Sequence, residues 1–88
     1  MKLRLLEKGS GKLVFEVSDE THTFLNLLRE NAWKVGSEQA SYVIEHPYLS
    51  EPKFIVKAKN PVKTLSDASQ RVIDQAREFG KEFKRVSR

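Results

Sequence analysis

The chain lacks cysteine, and in 88 residues it has only three prolines, four glycines and one tryptophan. Without cysteine there can be no disulfide and no thiolate metal ligand, which fits a reducing compartment. No apolar run approaches the ~20 residues that a membrane-spanning helix needs. The opening Met1-Lys-Leu-Arg-Leu-Leu-Glu-Lys8 breaks its apolar residues with charge every second or third position, so it lacks a signal-peptide core. A cytoplasmic protein is expected. There is no linker, internal repeat or low-complexity segment, and one domain spanning residues 1–88 is expected.

Chemistry is also sparse. The two histidines, His22 and His46, are far apart, and neither has a second imidazole or a carboxylate at metal-ligand spacing. Gly9-Ser10-Gly11 is too short for a phosphate cradle and precedes a strand pattern, whereas a phosphate loop opens a helix. No serine or threonine has a base at recognisable spacing. The strands lack the paired exposed aromatics of an RNA-binding sheet, and there is no Gly-x-x-Gly clamp. No catalytic residue, metal site or cofactor is therefore expected.

What is present is charge and periodicity. The net charge is +4, and 32% of the residues are charged, with both signs mixed along the chain. A basic surface favours polyanions, but mixing of this kind is what solubility requires. Lys81, Lys84, Arg85 and Arg88 suit the negative end of a helix. Apolar alternation at Leu3 and Leu5, then at Leu13, Phe15 and Val17, flanks a Lys8-Gly9-Ser10-Gly11 turn, so residues 2–17 read as a β-hairpin. Asp19 or Thr21 can cap the next helix, and Gly36 ends it. Tyr42, Ile44 and His46 alternate with Ser41, Val43 and Glu45 in a third strand closed by Pro47. After a turn over Tyr48 to Pro52, Phe54, Val56 and Ala58 alternate with lysines and Ile55 in a fourth. Asn60-Pro61 starts a last helix. The order β-β-α-β-β-α implies an α+β fold, a four-stranded antiparallel sheet with two helices on one face.

Two helix faces point to partners. In the first helix, Phe24, Leu25, Leu27 and Leu28 fall within an arc of roughly 160°. The opposite side carries His22, Asn26, Arg29 and Trp33, where lysine and glutamate are more usual. Trp33 is either an interface anchor or a lid over its own helix end. Asn26 is either simply exposed or bonded to a neighbouring chain. In the last helix, Val62, Leu65, Val72, Ala76, Phe79, Phe83 and Val86, with Ser69, follow steps of three and four. From Pro61 to Val86 that helix would run ~39 Å, against ~23 Å for a seven-residue strand. Phe79, Phe83 and Val86 would therefore overhang the sheet, and a second chain is expected to cover them. The alternative is a helix that bends or frays at Gly80, a residue that otherwise allows another helix to approach closely.

His22-Thr23-x-x-Asn26-x-Leu28-Arg29, Ala40-x-Tyr42-x-x-x-His46-Pro47 and Pro61-x-x-Thr64-Leu65-x-x-Ala68 together resemble the subunit L family of archaeal RNA polymerases. The first block is also similar to a stretch of the bacterial polymerase alpha subunit. The resemblance spans nearly the whole chain. It implies a non-catalytic assembly subunit, with nucleotidyl transfer in other chains. It implies pairing with the larger alpha-like subunit (the D polypeptide of archaea) as a platform for the large catalytic subunits, with no membrane and no direct nucleic-acid contact. The implied pairing residues are Phe24, Leu25, Leu27 and Leu28, shared between the chain's own sheet and the partner, with Leu65, Val72, Ala76, Phe79, Phe83 and Val86. The His22, Asn26, Arg29 and Trp33 side would meet a large subunit. Glu30, where the bacterial motif has a second arginine, departs from that pattern, as do Ser37, Gln39 and Tyr48. A small basic nucleic-acid-binding α+β domain is the alternative from another class. A self-associating module using the same seam is a third.

Overall fold

The structure, a computed structural model, describes residues 1–44 and 51–87. Its elements are β1 (Lys2–Lys8), β2 (Lys12–Ser18), α1 (His22–Lys34), β3 (Gln39–Val43), β4 (Lys53–Lys57) and α2 (Pro61–Val86). The strands form one antiparallel sheet of four, as expected, and their order in it is β1-β2-β4-β3.

Local chemistry sets the joints. The hairpin turn is tied to the residue after β4, where the Ala58 N–H donates to Gly11 O at 3.1 Å. Of the two candidate caps, Thr21 serves α1: its Oγ1 accepts from Phe24 N–H at 3.1 Å. Asp19 instead takes a left-handed φ of 60° in the turn before it, a conformation that aspartate tolerates better than most residues. Gly36, at φ 96°, closes α1, with Gly36 N–H donating to Trp33 O and Ser37 N–H to Ala32 O. That is the left-handed glycine stop expected after the last helical turn. Asn60 Oδ1 accepts from Lys63 N–H at 3.2 Å and Pro61 opens α2.

One sheet face is apolar. Leu13, Phe15 and Val17 of β2, Phe54 and Val56 of β4 and Ala40 of β3 pack with Leu25, Leu28 and Ala32 of α1 and Ala68 of α2. Phe15 and Phe54, directly opposite across β2 and β4, stack with ring centroids 5.5 Å apart. On the helix-free face, Arg4 pairs with Glu16 through two nitrogens, Nη2 at 2.9 Å and Nε at 3.1 Å, and Lys53 lies opposite Glu16 on the next strand. Arg4 holds the Glu16 carboxyl below the usual carboxylate range.

The third strand is shorter than its alternation suggests. β3 ends at Val43 and Ile44 lies beyond it. The expected strand positions Glu45 and His46, the stop at Pro47 and the turn residue Tyr48 lie outside the described residues.

β1 departs from a covered hairpin. Leu3 and Leu5 sit opposite Val17 and Phe15 and so belong to the core face, yet they are 63% and 58% exposed. The cause is coverage: α1 packs against β3, while α2 packs over β2 and β4. Two helices leave the outer strand of a four-stranded sheet bare. A bulge at Leu6 interrupts the β1–β2 register, a feature that twists an exposed edge away from further strand pairing.

A candidate protein–protein interface

α2 remains helical through Gly80 to Val86, so the bend or fray at that glycine does not occur. Only its first half is anchored. Pro61 and Ala68 are buried, Leu65 and Val72 half-buried, and the remainder projects past the sheet. The principal dimensions reflect this: 47 × 33 × 16 Å, with a radius of gyration of 14.6 Å, where about 12 Å is usual for this length. On the projecting half, Phe79 is 72% exposed, Phe83 59% and Val86 66%, and the Phe79 and Phe83 rings stack at 6.3 Å. Ala76 is exposed between them and the sheet. At about 25 cal/mol per Å², each phenylalanine so placed forgoes roughly 2–3 kcal/mol that burial would return.

The seam does not stop where α2 meets the sheet. A hollow of about 280 Å³ lies between β1 and α2, lined by Leu3, Leu5, Leu13, Phe15 and Leu65. A second, of about 100 Å³, adjoins it and reaches Met1, Phe24 and Ser69. They share Leu3, Phe15 and Leu65, so one apolar surface runs from the bare face of β1 along α2 to its free end. Ile73, 45% exposed, widens it. Sequence reasoning misses Leu3, Leu5 and Ile73 as surface. Alternation reports which face a residue takes, not whether anything covers it. Ile73 meets the same steps, four after Ser69 and three before Ala76, but Val72 beside it already fills that turn of the seam.

The apolar residues of α1 divide. Of the four residues expected to divide between the chain's own sheet and a partner, Leu25 and Leu28 fall to the chain's own core, at 1% and 6% exposed, and are removed from the candidate contact surface. Phe24 is half-buried beside the second hollow, and Leu27 is 38% exposed.

Between the helices lies a polar bridge that sequence reasoning does not single out. Asn31, 1% exposed, donates from Nδ2 to Leu27 O at 3.0 Å and to Gln75 Oε1 at 3.2 Å, and its Oδ1 accepts from Arg71 Nε at 3.1 Å. Its buried amide is thus satisfied and fixes α1 against α2. Its position inside the Phe24–Leu28 arc is a signal available in the sequence.

The His22, Asn26, Arg29 and Trp33 stripe lies on the other flank of α1, toward the open edge strand β3. The His22 ring meets that of Tyr42 at 5.8 Å, and Asn26 Oδ1 accepts from Arg29 Nη2 at 3.3 Å. Trp33 Nε1 donates to Ala40 O at 3.1 Å while the residue stays 48% exposed. Trp33 is therefore tied to its own sheet and still offers ring surface. α1 is thus held on two sides, one toward α2 and one along β3.

Among the described residues no group of three or more histidines and carboxylates is arranged to hold a metal. No helix among them is long and apolar enough to cross a membrane.

Comparison with known proteins gives this surface a context. The sequence model of the RNA polymerase Rpb3/Rpb11 dimerisation domain matches residues 12–82. DNA-directed RNA polymerase subunit Rpo11 from Methanosarcina barkeri is 33% identical over 89 residues, covering 98% of this chain and 97% of that protein. The Rpo11 subunits of Methanothrix thermoacetophila, 33% identical over the full length of both chains, and Pyrococcus abyssi, 34% identical over 89% of this chain and 88% of that one, are similar. The crystal structure of RNA polymerase subunit L from Thermoplasma acidophilum shares the fold with a TM-score of 0.86 at 24% identity, covering 97% of this chain and 87% of that one. A β-β-α-β-β-α chain with an overlong, half-naked helix thus belongs to the Rpb3/Rpb11 dimerisation family of RNA polymerase small subunits.

Proposed function

We propose that this chain is a non-catalytic assembly subunit of a cytoplasmic DNA-directed RNA polymerase. It pairs with the larger alpha-like subunit (the D polypeptide of archaea), and the pair forms the platform on which the large catalytic subunits assemble. The observation that carries this reading is the continuous apolar surface from Leu3 and Leu5 through Leu65 to Phe79, Phe83 and Val86. Roughly two turns of amphipathic helix with nothing beneath them are stable in water only when another chain covers them. Leu65, Val72, Ala76, Phe79, Phe83 and Val86 supply the α2 part of the contact, with Phe24 and Leu27 at its margin.

The stripe of His22, Asn26, Arg29 and Trp33 lies on the opposite flank of α1. It stays available after pairing and presents the pair to a large subunit. Polymerisation chemistry belongs to other chains, and this one needs no cofactor.

Co-expression tests the pairing. An affinity tag on the alpha-like subunit should retain this chain in one-to-one amount, and Phe79→Asp should release it by placing an unpaired charge in an apolar interface. Undiminished retention of Phe79→Asp would move the contact away from α2.

A further inference from the structure

α2 is held to the body of the chain by few directional contacts. Pro61 and Ala68 are buried and Leu65 and Val72 half-buried, and apolar contacts, being non-directional, resist separation better than tilting. The bridge to α1 is directional: Asn31 Nδ2 donates to Gln75 Oε1 at 3.2 Å, and Asn31 Oδ1 accepts from Arg71 Nε at 3.1 Å. Arg71 and Gln75 lie one turn apart, so a single amide grips two points along the axis of α2. Beyond Gln75 the side-chain hydrogen bonds and the ion pair of the described residues stay within α2, joining Arg85 to Glu82 and Ser87 to Phe83. A hollow of about 260 Å³ opens beside the bridge and is lined by α2 residues alone, Arg71, Asp74, Gln75 and Glu78. The amide is the last directional tie before the helix projects.

We propose that Asn31, through Arg71 and Gln75, is a positioning residue for pairing: it sets the angle at which α2 leaves the body and so holds the projecting seam in place before a partner arrives. This rests on the pairing reading above and adds how the free chain keeps that surface ready. Leverage makes the angle matter. Phe83 lies 15 residues beyond Ala68, ~22 Å along the axis. A tilt of about 10° at Ala68 would carry the Phe83 ring ~4 Å, whereas a gap of ~1 Å already forfeits up to half of a contact. Ordering a loosely held helix at the moment of binding costs affinity, and a helix fixed beforehand avoids that cost. Asn31 is 1% exposed, so a partner docking on α2 has no access to it. An effect of Asn31 on pairing must therefore travel through α2.

The chain has no cysteine, so Glu30→Cys on α1 and Lys81→Cys on the projecting half of α2, both at exposed positions, carry a unique pair of spin labels. Double electron–electron resonance reads the distance between them in the full chain, diluted in unlabelled chain, alone and with the purified alpha-like subunit. Asn31→Leu replaces the amide by an apolar group of nearly the same shape and leaves the exposed Arg71 and Gln75 to water. Its thermal midpoint should stay within about 4 °C of the parent's. The distance distribution of the free variant should broaden by several ångströms and narrow again in the pair, and pairing should weaken about tenfold. A free-chain distribution as narrow as the parent's overturns the proposal, and so does a broad one with undiminished pairing. If Asn31→Leu melts lower, Arg71→Ala/Gln75→Ala, changed only at exposed positions, decides by the same distance measurement, and a narrow distribution there overturns the proposal as well. Phe79→Asp separates the two claims. If it fails to bind while Asn31→Leu binds as the parent does, only the positioning proposal falls. If both bind normally, the pairing reading falls with it.

Discussion

Truncating Phe79 to alanine separates pairing from folding, because the structure places this ring outside the core. Among the described residues its ring meets the stacked Phe83, itself exposed, and 72% of its surface is open. A phenylalanine offers ~200 Å², so about 140 Å² is available to a partner. At ~25 cal/mol per Å² that is about 3.5 kcal/mol, an upper bound because a partner need not cover all of it. Alanine retains about a third of the contact, leaving a loss of about 2–2.5 kcal/mol, or about 30–70-fold in Kd. The chain's own stability should change by less than about 0.5 kcal/mol, as for other exposed positions. Calorimetric titration against the alpha-like subunit measures the first quantity, and circular dichroism with thermal melting of the isolated variant guards the second. An affinity within about threefold of the parent, with the helix intact, would refute the claim that the projecting half of α2 is the adhesive surface.

Other consequences are open to measurement. Arg29→Ala should leave pairing intact and weaken docking of a large subunit to the assembled pair, read by gel filtration of the ternary mixture; lost pairing would mean the two flanks of α1 are assigned the wrong way round. Asn31→Ala removes a buried amide that makes three hydrogen bonds within and between the helices and should destabilise the paired chain by about 1–3 kcal/mol, seen as a lower urea midpoint. An unchanged midpoint would show the bridge to be energetically neutral. The Glu16 carboxyl is lowered chiefly by its hydrogen bond from Arg4. Its contribution is therefore present above the unfolded pKa of about 4.5 and lost as pH falls through the lower folded value. Hydrogen exchange of β1 amides, compared with Glu16→Gln, should converge in acid and differ at neutral pH; parallel curves throughout would remove the pair from the hairpin's stability.

Much of this is legible in the residues. Alternation at Leu13, Phe15 and Val17 and at Phe54 and Val56 places those strands and their faces, because the period-two pattern is strong where one face is buried. The steps of three and four from Val62 to Val86 name the α2 seam, and length alone shows that it overhangs. Coverage is not legible. Leu3 and Leu5 alternate as a covered strand would, and their exposure follows only from where two helices fall on four strands. Leu25 and Leu28 share an arc with Leu27, yet the arc is wide enough to turn two residues inward and one outward. A break at Gly80 is suggested by propensity, worth about 1 kcal/mol, which a 26-residue helix outweighs. Asparagine's poor fit mid-helix draws attention to Asn26, while the buried bridge is Asn31, one heptad on from Phe24 and inside the apolar arc. Local cost marks a residue as unusual, and only packing tells which unusual residue is used.

Light scattering on this chain alone and on the chain co-expressed with the alpha-like subunit tests the central claim most directly. Aggregation or weak self-association alone, resolved into a stable one-to-one complex with the partner, is the predicted result. A well-behaved monomer indifferent to the alpha-like subunit would contradict it.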